Sequence, residues 1–275
     1  MKGEKEQKCF EVVKNDFMKE YPTKFFGLNC EEIKNMKVLF DTAKINEKTS
    51  EFPDIILNDG FIEHFQITSS KENKNGAVHI KELTKFKSKI EKDMVAIQVN
   101  HDFSKKHWTM QYPEHSYENL VKSLEKNWNN HIESYEKYNK KKDISIFMIQ
   151  YSDMALEMYE NVYEYWIDGM SNGDLRKPEK LNYYRMSRDK KILNYMYEFK
   201  DKIKYVIFVY GEKCEVLKLE NIPYILGLIP WNYVIASKMN TMLISSLYRL
   251  SDIGDEIDEQ NWRINREIMP KWSGI

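Results

Sequence analysis

Cysteine is scarce in this sequence, and its positions lie far apart. The three cysteines, Cys9, Cys30 and Cys214, form no Cys-X-X-Cys pair and show no Cys/His spacing typical of a zinc site. An odd number of widely separated cysteines is typical of proteins that stay reduced. We therefore expect a cytoplasmic protein with neither disulfide bonds nor a structural zinc ion.

A long apolar run and an excess of one charge are also missing. The longest nearly apolar stretch, residues 222–231, contains two prolines and is too short to cross a bilayer. The N-terminal segment lacks the apolar core of a secretory signal, so we expect no membrane partner. Because the formal net charge is only −1, binding to nucleic acid would require a local basic surface.

Two common catalytic loops are absent as well. The sequence contains no Gly-X-Gly-X-X-Gly or Walker-type phosphate loop and no Gly-X-Ser-X-Gly nucleophile elbow. A nucleotide-driven enzyme and a serine hydrolase therefore have no support. What the chain does have is 42% hydrophobic and 13% aromatic content over 275 residues, which is enough for a large folded core.

Helical and strand patterns alternate along the chain. Helices are predicted over residues 10–21, 31–40, 79–91, 117–138, 154–166, 188–200 and 234–250. Short runs rich in β-branched and aromatic residues predict strands over residues 94–99, 144–149, 205–210 and 215–219. This alternation predicts one α/β domain over residues 1–275, with a mixed central β-sheet flanked by helices.

The segment from Phe52 to Thr68 carries most of the chemical information. Its turn, Asn58-Asp59-Gly60, separates two strand patterns, because Asp-Gly tolerates the positive φ angles of hairpin turns. Asp54 enters the first strand, and Glu63 and Gln66 lie on the second. We expect the hairpin to bring these side chains to one end of a sheet, where they could share a divalent cation.

Regular side-chain alternation on the second strand would separate Glu63 from Gln66. Phe65 and Ile67 should face the core, which places Glu63 on the same face and Gln66 on the other. A one-residue β-bulge near His64 and Phe65 would bring Glu63 and Gln66 to one face, and bulges are common beside active sites. The sequence therefore predicts such a bulge if these two residues act together.

Pro53-Asp54 at the start of one strand and Glu63 on the next resemble the motif of the PD-(D/E)XK nuclease superfamily. The similarity covers residues 51–91, together with the element order helix, hairpin, helix, strand. In that superfamily the carboxylates bind Mg²⁺ for phosphodiester hydrolysis. The resemblance implies a restriction-endonuclease-like core over residues 1–150 with helical additions, followed by a C-terminal α/β extension over residues 151–275.

The resemblance also implies roles for individual residues. Asp54 and Glu63 would be catalytic metal ligands for Mg²⁺, or for Mn²⁺ in its place, in an endonuclease acting on DNA. Gln66 would be an auxiliary catalytic ligand or a positioning group. Phe65 stands where the superfamily has a lysine, so the resemblance transfers no lysine to this chain.

Lysines follow the hairpin in the sequence and are candidates for contact with DNA phosphates. The nucleic-acid-binding residues predicted on this basis are Lys71, Lys74, Lys81 and Lys85. Glutamates at positions 72, 82 and 91 dilute this charge, so an ordinary solvated helix face is an equally good interpretation.

Three functions remain open at this level. The first is a metal-dependent DNA nuclease, in which a homodimer would also be compatible with the sequence. The second is a non-catalytic nucleic-acid-binding protein on the same fold, which the missing lysine favours. The third is an interaction protein that binds a partner through its Tyr- and Trp-rich helices.

Overall fold

The computed structural model describes residues 3–17, 19, 24–48, 51–73, 76–100, 106–111, 114–138, 142–153, 155–161, 178–237, 241–249 and 262–270. The chain divides into two compact units, each built from two chain segments. The first unit comprises Met1–Ser69 and Tyr117–Ala236, and the second comprises Ser70–Ser116 and Ser237–Ile275. Among the described residues, no helix combines the length and the apolar character needed to cross a bilayer.

The first unit is organised around a mixed seven-stranded sheet. In spatial order its strands are β1 (Phe25–Phe26), β12 (Lys213–Lys218), β11 (Tyr205–Tyr210), β8 (Ile144–Tyr151), β4 (Gly60–Ile67), β3 (Ile55–Ile56) and β2 (Lys44–Ile45). Strands β4, β8 and β11 run parallel. Strand β3 is antiparallel to both of its neighbours, whereas β12 is antiparallel to β11 and parallel to β1. The sheet therefore combines strands from both sides of residue 150.

Helices cover the sheet, which confirms the predicted class of a mixed central sheet flanked by helices. The helices of this unit are α1 (Glu4–Phe17), α2 (Cys30–Asp41), α4 (Tyr117–Lys137), α5 (Lys190–Tyr197) and α6 (Ile222–Gly227). A smaller sheet has the order β10 (Lys180–Leu181), β9 (Leu156–Glu160) and β13 (Tyr233–Ser237).

The apolar sequences of the central strands explain their position in the sheet. Strands buried on both faces read as continuous apolar runs, and β11 (Tyr-Val-Ile-Phe-Val-Tyr) is buried throughout. Phe65 and Phe147 lie in the core that includes residues of α4 and α5. Met148 and Ile207 lie in the opposite core, with residues of α1 and α2. Successive residues of each strand therefore pack alternately into the two cores on opposite faces of the sheet.

The second unit contains α3 (Val78–Asn100) and a three-stranded antiparallel sheet. The sheet has the order β15 (Trp262–Pro270), β14 (Thr241–Arg249) and β7 (Lys106–Gln111). Strand β5 (Glu72–Asn73) pairs antiparallel with β6 (Gly76–Ala77). The Trp108 indole N–H donates a 2.7 Å hydrogen bond to Asp93 Oδ2 and links β7 to the helix.

Three secondary-structure predictions are wrong in the described residues. The strand predicted over residues 94–99 belongs to α3, because no glycine or proline interrupts the helix there and β propensity is a weak local preference. The helix predicted over residues 154–166 contains β9, whose burial alternates with the period of a strand; residues 154 and 162–166 lie outside the described part. In the described residues of the helix predicted over 234–250, which exclude 238–240 and 250, the chain forms β13 and β14 instead, and these strands pair with other strands of the sheets.

Candidate functional site

The predicted hairpin is confirmed. Ile55 pairs with Ile62 and Ile56 with Phe61, and the Leu57 N–H donates a 3.0 Å hydrogen bond to the carbonyl of Gly60. The glycine serves a different purpose from the one that its turn position indicates. A Cβ atom at Gly60 would lie 2.5 Å from the carbonyl oxygen of Ile144, so the close approach of β8 requires glycine here.

Asp54 and Glu63 are adjacent, as the hairpin predicts. The Asp54 backbone N–H donates a 3.1 Å hydrogen bond to Glu63 Oε2. Asp54 Oδ2 in turn accepts a 2.8 Å hydrogen bond from the backbone N–H of His64. Burial, followed by the repulsion of the neighbouring Glu63 carboxylate, raises the pKa of Asp54 to about 7. Two carboxylates thus share a site that penalises their simultaneous ionisation.

His131 of α4 completes this face of the site and was not predicted. Its Nδ1 donates a 2.7 Å hydrogen bond to Glu63 Oε1. Its ring stacks on Phe65, with 4.8 Å between ring centroids and 14° between planes. In the sequence, His131 follows the three- and four-residue spacing of Trp128, Tyr135 and Tyr138 along one face of the helix predicted over residues 117–138. The one signal in the sequence is that a histidine stands on a helix face that apolar and aromatic residues otherwise form.

Gln66 lies on the opposite face of β4 from Glu63, as side-chain alternation predicts, and the bulge that would have brought the two residues to one face does not occur in β4. Strands β4 and β8 pair residue for residue from Gly60 with Ile144 to Ile67 with Tyr151. Uninterrupted pairing preserves the two-residue alternation, so Glu63 and Gln66 cannot share a face. Regular packing of Phe65 and Ile67 into one core removes any need for a bulge.

A second polar cluster occupies the face to which Gln66 belongs. Gln66 Nε2 donates a 2.8 Å hydrogen bond to Gln150 Oε1, and His64 Nε2 lies 3.2 Å from the same oxygen. Burial lowers the pKa of His64, which favours the neutral imidazole. The backbone of His64 connects the two faces, since its N–H binds Asp54 while its side chain joins Gln66 and Gln150.

The predicted DNA-contacting lysines belong to the second unit. Lys71 is exposed just before β5, and Lys81 lies in the first turns of α3. Lys85 is paired with Glu82 at 2.7 Å. Lys74 lies outside the described residues. Contact of these lysines with DNA stays a prediction.

The chemistry of the Asp54–Glu63 pair fits a magnesium site in part. Mg²⁺ is commonly held by one or two carboxylates, with water and phosphate oxygens completing its shell. Burial first, and then the neighbouring Glu63 carboxylate, raise the pKa of Asp54, and a bound divalent cation would offset both effects. No group of three or more His, Cys, Asp or Glu side chains suited to a metal ion is found within the described ranges. Two carboxylates are therefore the donor set that this hairpin offers.

Comparison with known proteins adds no family assignment. No family model, curated protein or solved structure matches this chain. The similarity to the PD-(D/E)XK superfamily therefore rests on the residues of the hairpin and on the order of the elements around it.

Proposed function

We propose that this protein is a metal-dependent nuclease that hydrolyses phosphodiester bonds in DNA. The proposal rests on one observation, the pairing of Asp54 and Glu63 across the hairpin with the Asp54 pKa raised to about 7. Strongly shifted carboxylates beside a second carboxylate are typical of functional sites. The position of Asp54 directly before β3 and of Glu63 on β4 also follows the order that the resemblance implies.

Asp54 and Glu63 would hold the Mg²⁺ or Mn²⁺ ion. Such an ion activates water for attack and neutralises charge that develops on the phosphate. The remaining contribution comes from the protein itself. Two hydrogen bonds hold Glu63, one from the Asp54 backbone and one from His131, so the carboxylate is oriented before any ligand binds.

His131 donates to Glu63 the hydrogen bond for which β4 itself has no cationic side chain. Phe65 stands where the PD-(D/E)XK superfamily has a lysine, and its ring stacks on the ring of His131. A nitrogen-bearing side chain thus reaches the carboxylate from α4 instead of from the strand. We assign His131 as a positioning residue for Glu63.

Gln66 would act as a positioning group from the face of β4 opposite Glu63. It shares the Gln150 amide oxygen with His64, and the His64 backbone N–H binds Asp54. Gln66 thus helps to fix the strand that presents both carboxylates. DNA contact by the lysines of the second unit, a homodimer, a cytoplasmic location and a nuclease core ending near residue 150 remain parts of the prediction.

The test is cleavage of plasmid and single-stranded DNA in Mg²⁺ or Mn²⁺. Wild type is compared with Asp54→Asn and with Asp59→Asn, which removes a carboxylate from the exposed turn of the same hairpin. We expect metal-dependent cutting by wild type and Asp59→Asn, and a loss of at least ~10²-fold in Asp54→Asn. Equal cutting by all three purified proteins would refute the assignment of the site.

A non-catalytic nucleic-acid-binding protein is the alternative. The phenylalanine in the lysine position and the donor set of only two carboxylates favour it. This alternative predicts DNA binding that is detected by gel shift, is independent of Asp54 and is accompanied by no cleavage in either metal.

A further inference from the structure

A cavity of ≈ 560 Å³ opens beside the turn between β11 and β12. Cationic side chains from four places in the first unit line it, namely Lys19, Lys24, Arg185 and Lys213. Among the residues that the structure describes, one carboxylate, that of Asp16, accompanies them in the lining. Cavities of this size accept small-molecule ligands, and the excess of cations favours an anionic one.

Two of the four cations are already paired with carboxylates. Lys24 is buried and lies 3.4 Å from Asp16 Oδ2. The Arg185 guanidinium pairs with Glu215, which is completely buried. Buried ion pairs of this kind hold their geometry because breaking them leaves an unpaired charge.

The other two cations are available to a ligand. Lys19 and Lys213 are exposed, and neither forms a salt bridge with any carboxylate in the part of the chain that the structure describes. Lys213 is fixed at the start of β12 by its pairing with Tyr210. Its ammonium group lies 5.8 Å from the centre of the Tyr183 ring. Lys213 therefore has a defined backbone position and no carboxylate partner among the described residues.

Tyrosine rings form an aromatic wall of the same cavity. Tyr183 and Tyr210 stack with 5.2 Å between centroids and 22° between planes. Both rings line the cavity beside Lys213, but Tyr210 is buried, so the half-buried Tyr183 presents most of the aromatic surface. An aromatic surface next to a cluster of cations suits a ligand that carries a phosphate on a flat ring system.

This cavity is separate from the Asp54–Glu63 pair. Gln66, Gln150, Val209 and Cys214 form one row across four neighbouring strands of the sheet. Neighbouring strands lie about 4.8 Å apart, so Gln66 and Cys214 are separated by roughly 14 Å. Cys214 lies in the wall of the cavity, whereas Gln66 belongs to the hairpin of the candidate site.

We propose that this cavity binds a nucleoside phosphate, with the phosphate at Lys213 and Lys19 and the base against the half-buried ring of Tyr183. A phosphate alone would leave most of the cavity empty, and a neutral nucleoside would leave Lys213 and Lys19 unused. The ligand is either a free nucleotide or the phosphorylated end of a nucleic-acid strand, which present the same chemistry. The proposal goes beyond the nuclease assignment and does not depend on it.

Calorimetric titration of the full chain tests the proposal, with AMP, adenosine and inorganic phosphate as probes. The variant is Lys213→Gln, and the matched control is Lys204→Gln at the opposite end of β11. Lys204 also lies 5.8 Å from a tyrosine ring, that of Tyr205, but outside this cavity. We expect AMP to bind more tightly than either fragment, and Lys213→Gln to weaken binding by tenfold or more, as expected for loss of a charge-assisted contact.

Circular dichroism of both variants establishes that they are folded. Absence of AMP binding at millimolar concentration, equal binding of AMP and adenosine, or equal weakening by the two substitutions would overturn the proposal. A 5′-phosphorylated dinucleotide that binds better than AMP would assign the strand end as the source of the ligand, and the reverse order would assign the free nucleotide. Asp54→Asn should keep full AMP binding, so failure of the nuclease proposal leaves this result unaffected.

Discussion

Substitution of Asp54 by asparagine should stabilise the folded protein at neutral and alkaline pH. The folded state raises the pKa of Asp54 from 3.8 to about 7, because burial and the Glu63 carboxylate oppose its ionisation. Between these two values the unfolded chain has lost a proton that the folded chain retains. Wild-type stability therefore falls as the pH rises from about 4 to about 7 and then levels off.

The magnitude follows from the size of the shift. A change in pKa from 3.8 to about 7 corresponds to roughly 4 kcal/mol. Asp54 is only partly buried, and solvent screens part of this energy, so we expect about 2 kcal/mol in a measurement. The asparagine amide oxygen can still accept the His64 N–H bond, and the amide cannot ionise. The variant should thus escape the loss that wild type undergoes.

Urea denaturation of wild type and Asp54→Asn at several values from pH 4 to pH 8 measures this effect. The difference in the free energy of unfolding should shift in favour of the variant by about 2 kcal/mol over this range, with most of the change complete near pH 7. Titration of all other groups occurs in both proteins and largely cancels. If the difference in the free energy of unfolding between the two proteins is constant from pH 4 to pH 8, the pKa of Asp54 is not raised, and the proposed effect of burial and of Glu63 is refuted.

Two further predictions concern contacts around the hairpin. His131→Ala should lower the free energy of unfolding by roughly 1–3 kcal/mol, because it leaves the buried Glu63 oxygen without its donor; His131→Asn, which can place an amide near the Nδ1 position, should recover part of this loss in urea denaturation. Gly60→Ala should destabilise by about 1–3 kcal/mol through the 2.5 Å approach to Ile144, whereas Gly227→Ala, with open space around it, should not. Melting temperatures that are equal for the two alanine variants would contradict the close packing of β4 on β8.

The sequence predictions are correct where an element depends on residues close together in the chain, and they fail where it depends on partners far away in the chain. The hairpin depends on a turn and on residues a few positions away, and its strands were predicted correctly. Strands β8 and β11 carry continuous apolar runs, which suit a strand buried on both faces. The prediction failed for β14, whose partners β7 and β15 include a strand more than a hundred residues earlier in the chain. A pattern that fits a helix locally was overridden by pairing at long range.

The same distinction applies to the candidate site. Asp54 and Glu63 meet because a tight turn joins their strands, so their proximity could be predicted. His131 reaches Glu63 across 68 residues of sequence, and only the packing of α4 on β4 brings the two together. A bulge near Phe65 was the condition under which Glu63 and Gln66 could act on one face. The strand instead keeps regular alternation, because both of its faces contribute side chains to packed cores.

The most direct test of the account is the binding of Mn²⁺ to the Asp54–Glu63 pair, followed by electron paramagnetic resonance of the free ion. Wild type, Asp54→Asn, Glu63→Gln and the turn control Asp59→Asn are titrated under the same conditions at pH 8. We predict one site in wild type and in the control, with affinity reduced at least tenfold by either substitution in the pair. Undiminished Mn²⁺ binding by Asp54→Asn and Glu63→Gln would contradict the central claim that these two carboxylates form the metal site.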